Sequence, residues 1–556
     1  MFKQKVEFYL KALYGANYNA SRTTAIINLV NSYQQAKPKT AKPPNERTAY
    51  LISYGDSISG DQTTPLATLR KFLLRQVGTA ITDVHLLPMF PYTSDDGFSV
   101  TDYRAIDPEL GNWSDIAALA ADYRLMFDFV ANHVSKSSVW FQKYLSGDQN
   151  HSEFFIARDP AFDISAVVRP RTSPLFHEYQ NNADVKTAWT TFSEDQVDVN
   201  FKCFSLLLEM CDILLDYLSR GGTSIRLDAI GFIWKQSGTT CLHLPEAHTI
   251  VKLWRVIAEQ FNPGAQLITE TNVPHAENIS YYGSGSDEAH MVYQFALPPL
   301  VLHTLTSHDA SKLSDWAKTI NCVSESATWF NFLASHDGIG MRPSEGILDD
   351  SERQNLVNKV IENGGKISYK SNPDGSQTVY ELNINYFDAL INQAEDKNIE
   401  QQCQKFLAAQ FILLSMLGVP AIYIHSLLGS RNDYEGLAQS GINRRINREK
   451  LEYSTLLEQL QSDYVRKTVF ETLKQLLNIR GKQPAFSPYG NQTVLDCGKE
   501  FFVLKRINAD EIVTCIVNVG AEPQQIPAGI RGYDIISGAY CGKNHVIAGY
   551  QFLWLK

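Results

Sequence analysis

Four short apolar stretches of this chain end in residues able to move protons or attack carbon. "RLMFDFVANH" carries Asp128 and His133, "SIRLDAIGF" carries Arg226 and Asp228, "QLITETN" carries Glu270, and "FLASHD" carries His336 and Asp337. Residues two apart in a strand point to the same side, so Arg226 and Asp228 share a face or a strand mouth. A carboxylate in apolar surroundings must be paired or used. Read alone, Arg226 and Asp228 fit a structural ion pair as well as a reactive one, and His336-Asp337 fits a helix cap. Read together, carboxylates and histidines at four strand exits suit cleavage of a glycosidic bond with retention. That chemistry needs a carboxylate nucleophile and a carboxylic acid about 5–5.5 Å apart, flanking an oxocarbenium-like transition state.

Such a set works only if the fold gathers it. Eight apolar runs fall near residues 50, 85, 128, 227, 269, 295, 333 and 421, and each ends in polar or charged residues. Helical patterns such as "FSLLLEMCDILLDYLSRGG" and "EAHTIVKLWRVIAEQF" lie between several of them, the alternation of a parallel α/β sheet. Continuous apolar runs fit strands buried on both faces. Eight such units close economically into a (β/α)8 TIM barrel, with its site where the strands end.

The stretches from Val134 to Thr223 and from Gly338 to Met416 exceed ordinary crossover lengths, so each is expected to hold an inserted subdomain. The tail, with "TVLDCGKEFFVLKRINADEIVTCIVNVG", reads as a C-terminal antiparallel β domain. The expected organisation is an N-terminal helix and linker (1–47), barrel segments (48–133, 203–338, 391–482), insertions (134–202 and 339–390) and the β domain (483–556).

Composition limits the partners. The net charge of −10 argues against a general nucleic-acid binder, and no apolar run is long enough to cross a membrane. The opening "MFKQKVEFYLKALYG" reads as one amphipathic helix and lacks the apolar core of a signal peptide, which makes the cytoplasm the expected location. The eight scattered cysteines read as reduced core residues, with no spacing for a zinc site. No carboxylate-rich calcium loop is evident, so neither metal nor cofactor is expected. A homodimer is compatible with the chain, but nothing in the sequence fixes the assembly.

The segments "DFVANH", "SIRLDAIGF", "ITETN" and "FLASHD" resemble, in order, the four signature regions of the α-amylase family, glycoside hydrolase family 13. The resemblance implies that Asp228 is the nucleophile, Glu270 the general acid/base and Asp337 the carboxylate that steadies the transition state, with Arg226 keeping Asp228 ionised. "LLPMFPYTSDDGFSVTDY", "QVDVN", "GFIWKQSGTTCLHLPE" and "RRINR" resemble the sucrose-phosphorylase branch, subfamily 18. "DEAHMVYQFALPPLVLH" and "NPDGSQTVYELNINYFDAL" look closest to its longer glucosylglycerate and glucosylglycerol phosphorylases.

By that resemblance Asp95 and Arg444 would clamp the far hydroxyls of a glucosyl ring. Phe98 would pack on the ring, and His133, Gln196 and His336 would bind its other hydroxyls. "RPR", Arg169 to Arg171, resembles the branch's phosphate loop, although short basic runs are more often solvated surface. Tyr380 would join it at the acceptor site. Phe232, Asn272 and Glu381 stand where sucrose phosphorylases have tyrosine, histidine and glutamine, which disfavours sucrose as donor.

The implied activity is phosphorolysis of an α-glucoside, glucosylglycerate first, to α-D-glucose 1-phosphate. Glucosylglycerol, sucrose and sucrose 6′-phosphate are the alternative donors. An α-glucosidase or transglucosidase, or a non-catalytic barrel subunit, is more distant. An acidic Glu381 beside an anionic acceptor would have to be turned away, protonated or paired.

Overall fold

The computed structural model describes residues 1–34, 40–60, 62–181, 184–372, 374–392 and 398–556. Its centre is a closed eight-stranded parallel barrel: β1 (Tyr50–Ser53), β2 (Asp83–Leu86), β3 (Arg124–Phe129), β4 (Gly222–Leu227), β5 (Gln266–Thr269), β6 (Met291–Tyr293), β7 (Thr328–Asn331) and β8 (Val419–Tyr423). Each strand pairs with its sequence neighbours, and β8 closes on β1. Six lie within the apolar runs read from the sequence, and the other two, β4 and β7, start one residue before theirs. Only Arg124, at the start of β3, is not buried, because helices cover the outside while side chains fill the barrel.

Register is what gathers the strand exits. Arg226 on β4 pairs with Asp128 on β3 and with Ile268 on β5. Backbone hydrogen bonds continue one residue past the strands, Asp228 N donating to Phe129 O at 3.1 Å and Glu270 N to Leu227 O at 3.2 Å. Asp228 and Glu270 are therefore held by the sheet, not by free loops.

Between β3 and β4 the chain forms a helix (Val139–Ser146) and an antiparallel pair (Phe176–Asn181 with Asp184–Trp189). A shorter pair joins His133–Ser135 to Gln196–Asp198 and so brings Gln196 beside His133. Between β7 and β8, strands Ile339–Gly340, Lys366–Ser371 and Gln377–Asn383 form a small antiparallel sheet below the helix Asp350–Glu362. Its register sets Glu381 opposite Gly340.

The C-terminal antiparallel sheet comprises Asn491–Leu495, Phe501–Asn508, Glu511–Asn518 and Phe552–Leu555. It has a small apolar core of its own and is fastened to the barrel by polar contacts. Trp554 donates to Ser415 Oγ at 2.9 Å, and Arg506 donates to the carbonyls of Ser415 and Met416 at 3.2 and 2.9 Å.

Two readings need correction. The opening segment is two helices, Phe2–Tyr14 and Ala20–Tyr33, because Gly15 turns the chain at φ 48° and the Asn19 side chain caps the second helix by accepting from Arg22 N. The linker proposed to follow falls partly outside the described residues. The cysteines are all free, but Cys322 is exposed and Cys497 half-buried, so two of the eight are not core residues. Among the described residues, no helix is long and apolar enough to cross a membrane.

Candidate active site

Arg226 lies at the centre of the carboxylate cluster. Its Nη1 donates to Asp128 Oδ1 at 2.5 Å and to Asp228 Oδ1 at 2.8 Å, and its Nη2 stands 3.8 Å from Glu270 Oε2. Asp128 is held from its other side by His85 Nε2 at 2.8 Å. The side chains of Arg226 and Asp128 are almost wholly buried, so removing one partner would strand a charge, at a cost of about 3–5 kcal/mol. Burial raises the Asp228 carboxyl well above the usual range against the pull of Arg226, and the Glu270 charge adds to the rise. Burial likewise raises Glu270, against Arg226 and with help from Asp337. Arg226 lies closer to Asp228, at 2.8 Å, than to Glu270, at 3.8 Å, and so favours the charged form more at Asp228 than at Glu270.

A turn directs the second carboxyl. Ala229, directly after Asp228, is left-handed at φ 48°, and its N–H donates to Glu270 Oε2 at 3.1 Å. A non-glycine residue in that conformation costs about 1–3 kcal/mol, so the surrounding contacts hold it there. The same strain recurs at Asp95 and Asp96, with φ of 53° and 48°, followed by Gly97 at 109°, where a Cβ would meet the Pro88 carbonyl oxygen at 3.0 Å.

Asp337 belongs to a second ionic group. Arg444 Nη1 lies 2.7 Å from Asp337 Oδ1, while its Nη2 and Nε hold the two oxygens of Glu381 at 2.5 and 3.1 Å. Burial alone would raise the Asp337 carboxyl, but the guanidinium groups of Arg444 and, more weakly, Arg226 hold it well below the usual range. His336 is neutral because burial drives its pKa far down, and its ring stacks on Phe98 at 4.6 Å. His133, also lowered by burial, faces the Phe98 carbonyl at 2.9 Å, to which Gln196 donates at 3.0 Å while reaching Asp95 Oδ2 at 3.3 Å.

These groups line one cavity. Its lining divides by chemistry into carboxylates and histidines, namely Asp228, Glu270, Asp337, Asp95, His133 and His336, and a guanidinium, aromatic and amide group, namely Arg171, Tyr380, Asn272, Phe232, His243 and Arg342. Arg171 lies over the Tyr380 ring at 4.9 Å, and Phe192 packs edge-on to Phe232 at 5.5 Å. The cavity thus offers anions and neutral hydrogen-bonding groups together with guanidinium and aromatic groups.

The alpha-amylase catalytic domain matches residues 74–358. The chain is 41% identical to the glucosylglycerate phosphorylase of Escherichia coli over the full length of both proteins. It is 45% identical to that of Spirochaeta thermophila, covering 93% of this chain and 89% of the relative. It belongs to the alpha-amylase family. The sucrose 6F-phosphate phosphorylase of Thermoanaerobacter thermosaccharolyticum, a solved structure, superposes on 85% of this chain and 94% of its own with a TM-score of 0.73 at 25% identity.

Against the positions expected from the family's motifs, Asp228, Glu270, Asp337, Asp95, Phe98, His133, Gln196, His336, Arg444, Arg171, Phe232, Asn272, Tyr380 and Glu381 all line the cavity. Two do not. Arg226 lies beneath the carboxylates, and Arg169 stands apart with a buried Nε that has no hydrogen-bond partner. Glu381, expected to need pairing, is paired by Arg444. Sequence reasoning missed Arg342, His243 and Phe192, which also line the cavity. Arg342 follows Asp337 by five residues in "GIGMRPSE", and nothing in that text separates it from a surface arginine.

Proposed function

We propose that this protein is a retaining phosphorylase of glucosylglycerate. The observation that carries the reading is one cavity lined both by paired catalytic-type carboxyls and by the Arg171 guanidinium, which makes no ion pair among the described residues. The full-length likeness to glucosylglycerate phosphorylases supports the choice of donor.

In the first half-reaction Asp228, held anionic by Arg226, attacks the anomeric carbon. The bond from that carbon to the glycerate oxygen breaks, and the Glu270 proton passes to the departing oxygen. Asp337 faces the positive charge developing on the sugar ring. Asp95, His133, Gln196, His336 and Arg444 bind the glucosyl hydroxyls, and Phe98 bounds the ring. In the second half-reaction an oxygen of inorganic phosphate attacks the same carbon from the face glycerate left. Its proton returns to Glu270, Asp228 is released, and α-D-glucose 1-phosphate forms. Arg171 and Tyr380, with Asn272 and Phe232, form the acceptor site.

No step of this scheme calls for a cofactor. The reaction belongs in the cytoplasm, where phosphate is available and a charged product is retained. The test is to supply glucosylglycerate, glucosylglycerol, sucrose and sucrose 6′-phosphate separately with phosphate and to measure glucose 1-phosphate against free glucose. Preferential α-glucose 1-phosphate from glucosylglycerate is expected. β-Glucose 1-phosphate would reject the double displacement, and free glucose as the main product would make the protein a hydrolase.

A further inference from the structure

The acceptor part of the cavity lining carries more positive charge than its surroundings neutralise. Arg171 rests on aromatic rings, with Tyr380 at 4.9 Å and Phe192 at 5.7 Å, and among the described residues its Nη1 donates only to the Pro170 carbonyl at 3.2 Å. Arg342 is a second guanidinium lining the same cavity. Its Nη2 stands 4.0 Å from Glu277 Oε2, a side chain 43% exposed, and its buried Nε has no hydrogen-bond partner among the described residues. The nearby buried carboxylates Asp337 and Glu381 are both already bound to Arg444. His243 adds no charge, since burial, followed by His248 and Arg342, pushes its pKa down to about 4.

The position of Arg342 is built in. The Ile339–Gly340 strand pairs with Leu382 and Glu381, and Met341 N donates to the Tyr380 carbonyl at 3.0 Å. Arg342 and the Tyr380 ring that carries Arg171 therefore hang from one small sheet. Asn272 closes the wall against Gly340, where a Cβ would meet its Oδ1 at 2.4 Å, so only glycine allows that approach.

We propose that Arg342 and Arg171 form one anion site that receives the glycerate carboxylate and inorganic phosphate in turn. The inference rests on the glucosylglycerate phosphorolysis proposed above. Retention requires glycerate to leave and phosphate to enter on the same face of the anomeric carbon, so both anions occupy the same part of the cavity. A carboxylate or phosphate desolvated there needs charge-assisted donors, and planar guanidinium groups suit both.

The test uses the full-length enzyme with Arg342→Gln and Arg342→Lys. It reads kcat/KM for transfer from glucose 1-phosphate to D-glycerate and to glycerol, and KM for phosphate in the forward direction. In the glutamine variant the glycerate-to-glycerol selectivity should fall about tenfold or more and the phosphate KM should rise by a similar factor, with lysine restoring part of each. Selectivity is a ratio measured on folded, active enzyme, so loss of folding cannot imitate it. Selectivity and phosphate KM both within about twofold of wild type would overturn the proposal. A change in only one would also overturn it, by assigning the two anions to separate sites. If the wild type prefers glycerol to glycerate, the choice of donor fails instead, and Arg342 is then judged by the phosphate KM alone.

Discussion

The carboxylate part of the cavity lining sits on the exits of β4, β5 and β7, where Asp228 and Glu270 continue the hydrogen bonding of the barrel sheet. The guanidinium part hangs from the two insertions, with Arg171 in the first and Arg342, Tyr380 and Glu381 in the second. One part is fixed by the register of adjacent parallel strands, the other by contacts between segments remote in sequence. Arg444, in contact with both Asp337 and Glu381, ties the two together, as do Gln196 beside His133 and Asn272 against Gly340. In such a design the reaction type resides in the barrel, while the identity of the aglycone resides in the insertions and can change without disturbing the carboxyls.

The sharpest way to break that comparison is at the barrel carboxylates. Asp228→Asn should lower glucose 1-phosphate release by about 10⁴-fold or more with every donor, since the proposed glucosyl-enzyme forms on that carboxylate. Substantial turnover in that variant would remove the carboxylate part from the chemistry altogether.

Glu270→Gln should cost about 10²–10⁴-fold with glucosylglycerate and much less with donors whose leaving group needs little protonation. The pH profile gives the sign. Burial raises the Glu270 pKa, so its acid form persists above the ordinary carboxyl range and is lost as pH rises through the raised value. The alkaline limb of glucosylation kcat/KM should therefore disappear in Glu270→Gln, while the acid limb, where the carboxylate nucleophile is protonated, should remain. An unchanged alkaline limb would assign the acid to another residue.

The smallest effect belongs at the junction. Glu381 is already neutralised by Arg444, so Glu381→Gln should change kcat/KM for D-glycerate as acceptor by no more than about threefold, or improve it. If that variant instead cripples transfer to glycerol and glycerol proves the better acceptor, the enzyme is a glucosylglycerol phosphorylase. The insertions would then read hydroxyls rather than charge.

The legibility of the chain follows the same division. The eight apolar runs located every barrel strand, because strands buried on both faces exclude polar residues until their ends. The same property exposed Asp128, Asp228 and Glu270, since a charge at the end of such a run has few structural reasons to be there. The first opening helix was read correctly within residues 1–15, but the second, Ala20–Tyr33, was not read before the linker. Arg342 was not read at all. Its role depends on pairing of Ile339–Gly340 with residues about Leu382, and no periodicity within its own segment reports that pairing.

The sequence by itself determined the barrel, the order of its strands and the carboxyls at their exits, because local hydrophobic pattern and strand period are written in consecutive residues. The pairing of Arg226 with Asp228 was legible in their spacing, but only the tertiary structure decided the rest. Arg226 also binds Asp128, Arg444 binds Asp337 and Glu381, and Arg171 and Arg342 line the same cavity. Ion pairing acts through space over a few ångströms, so the balance of charge in the site is set by contacts between distant segments and not by their spacing along the chain.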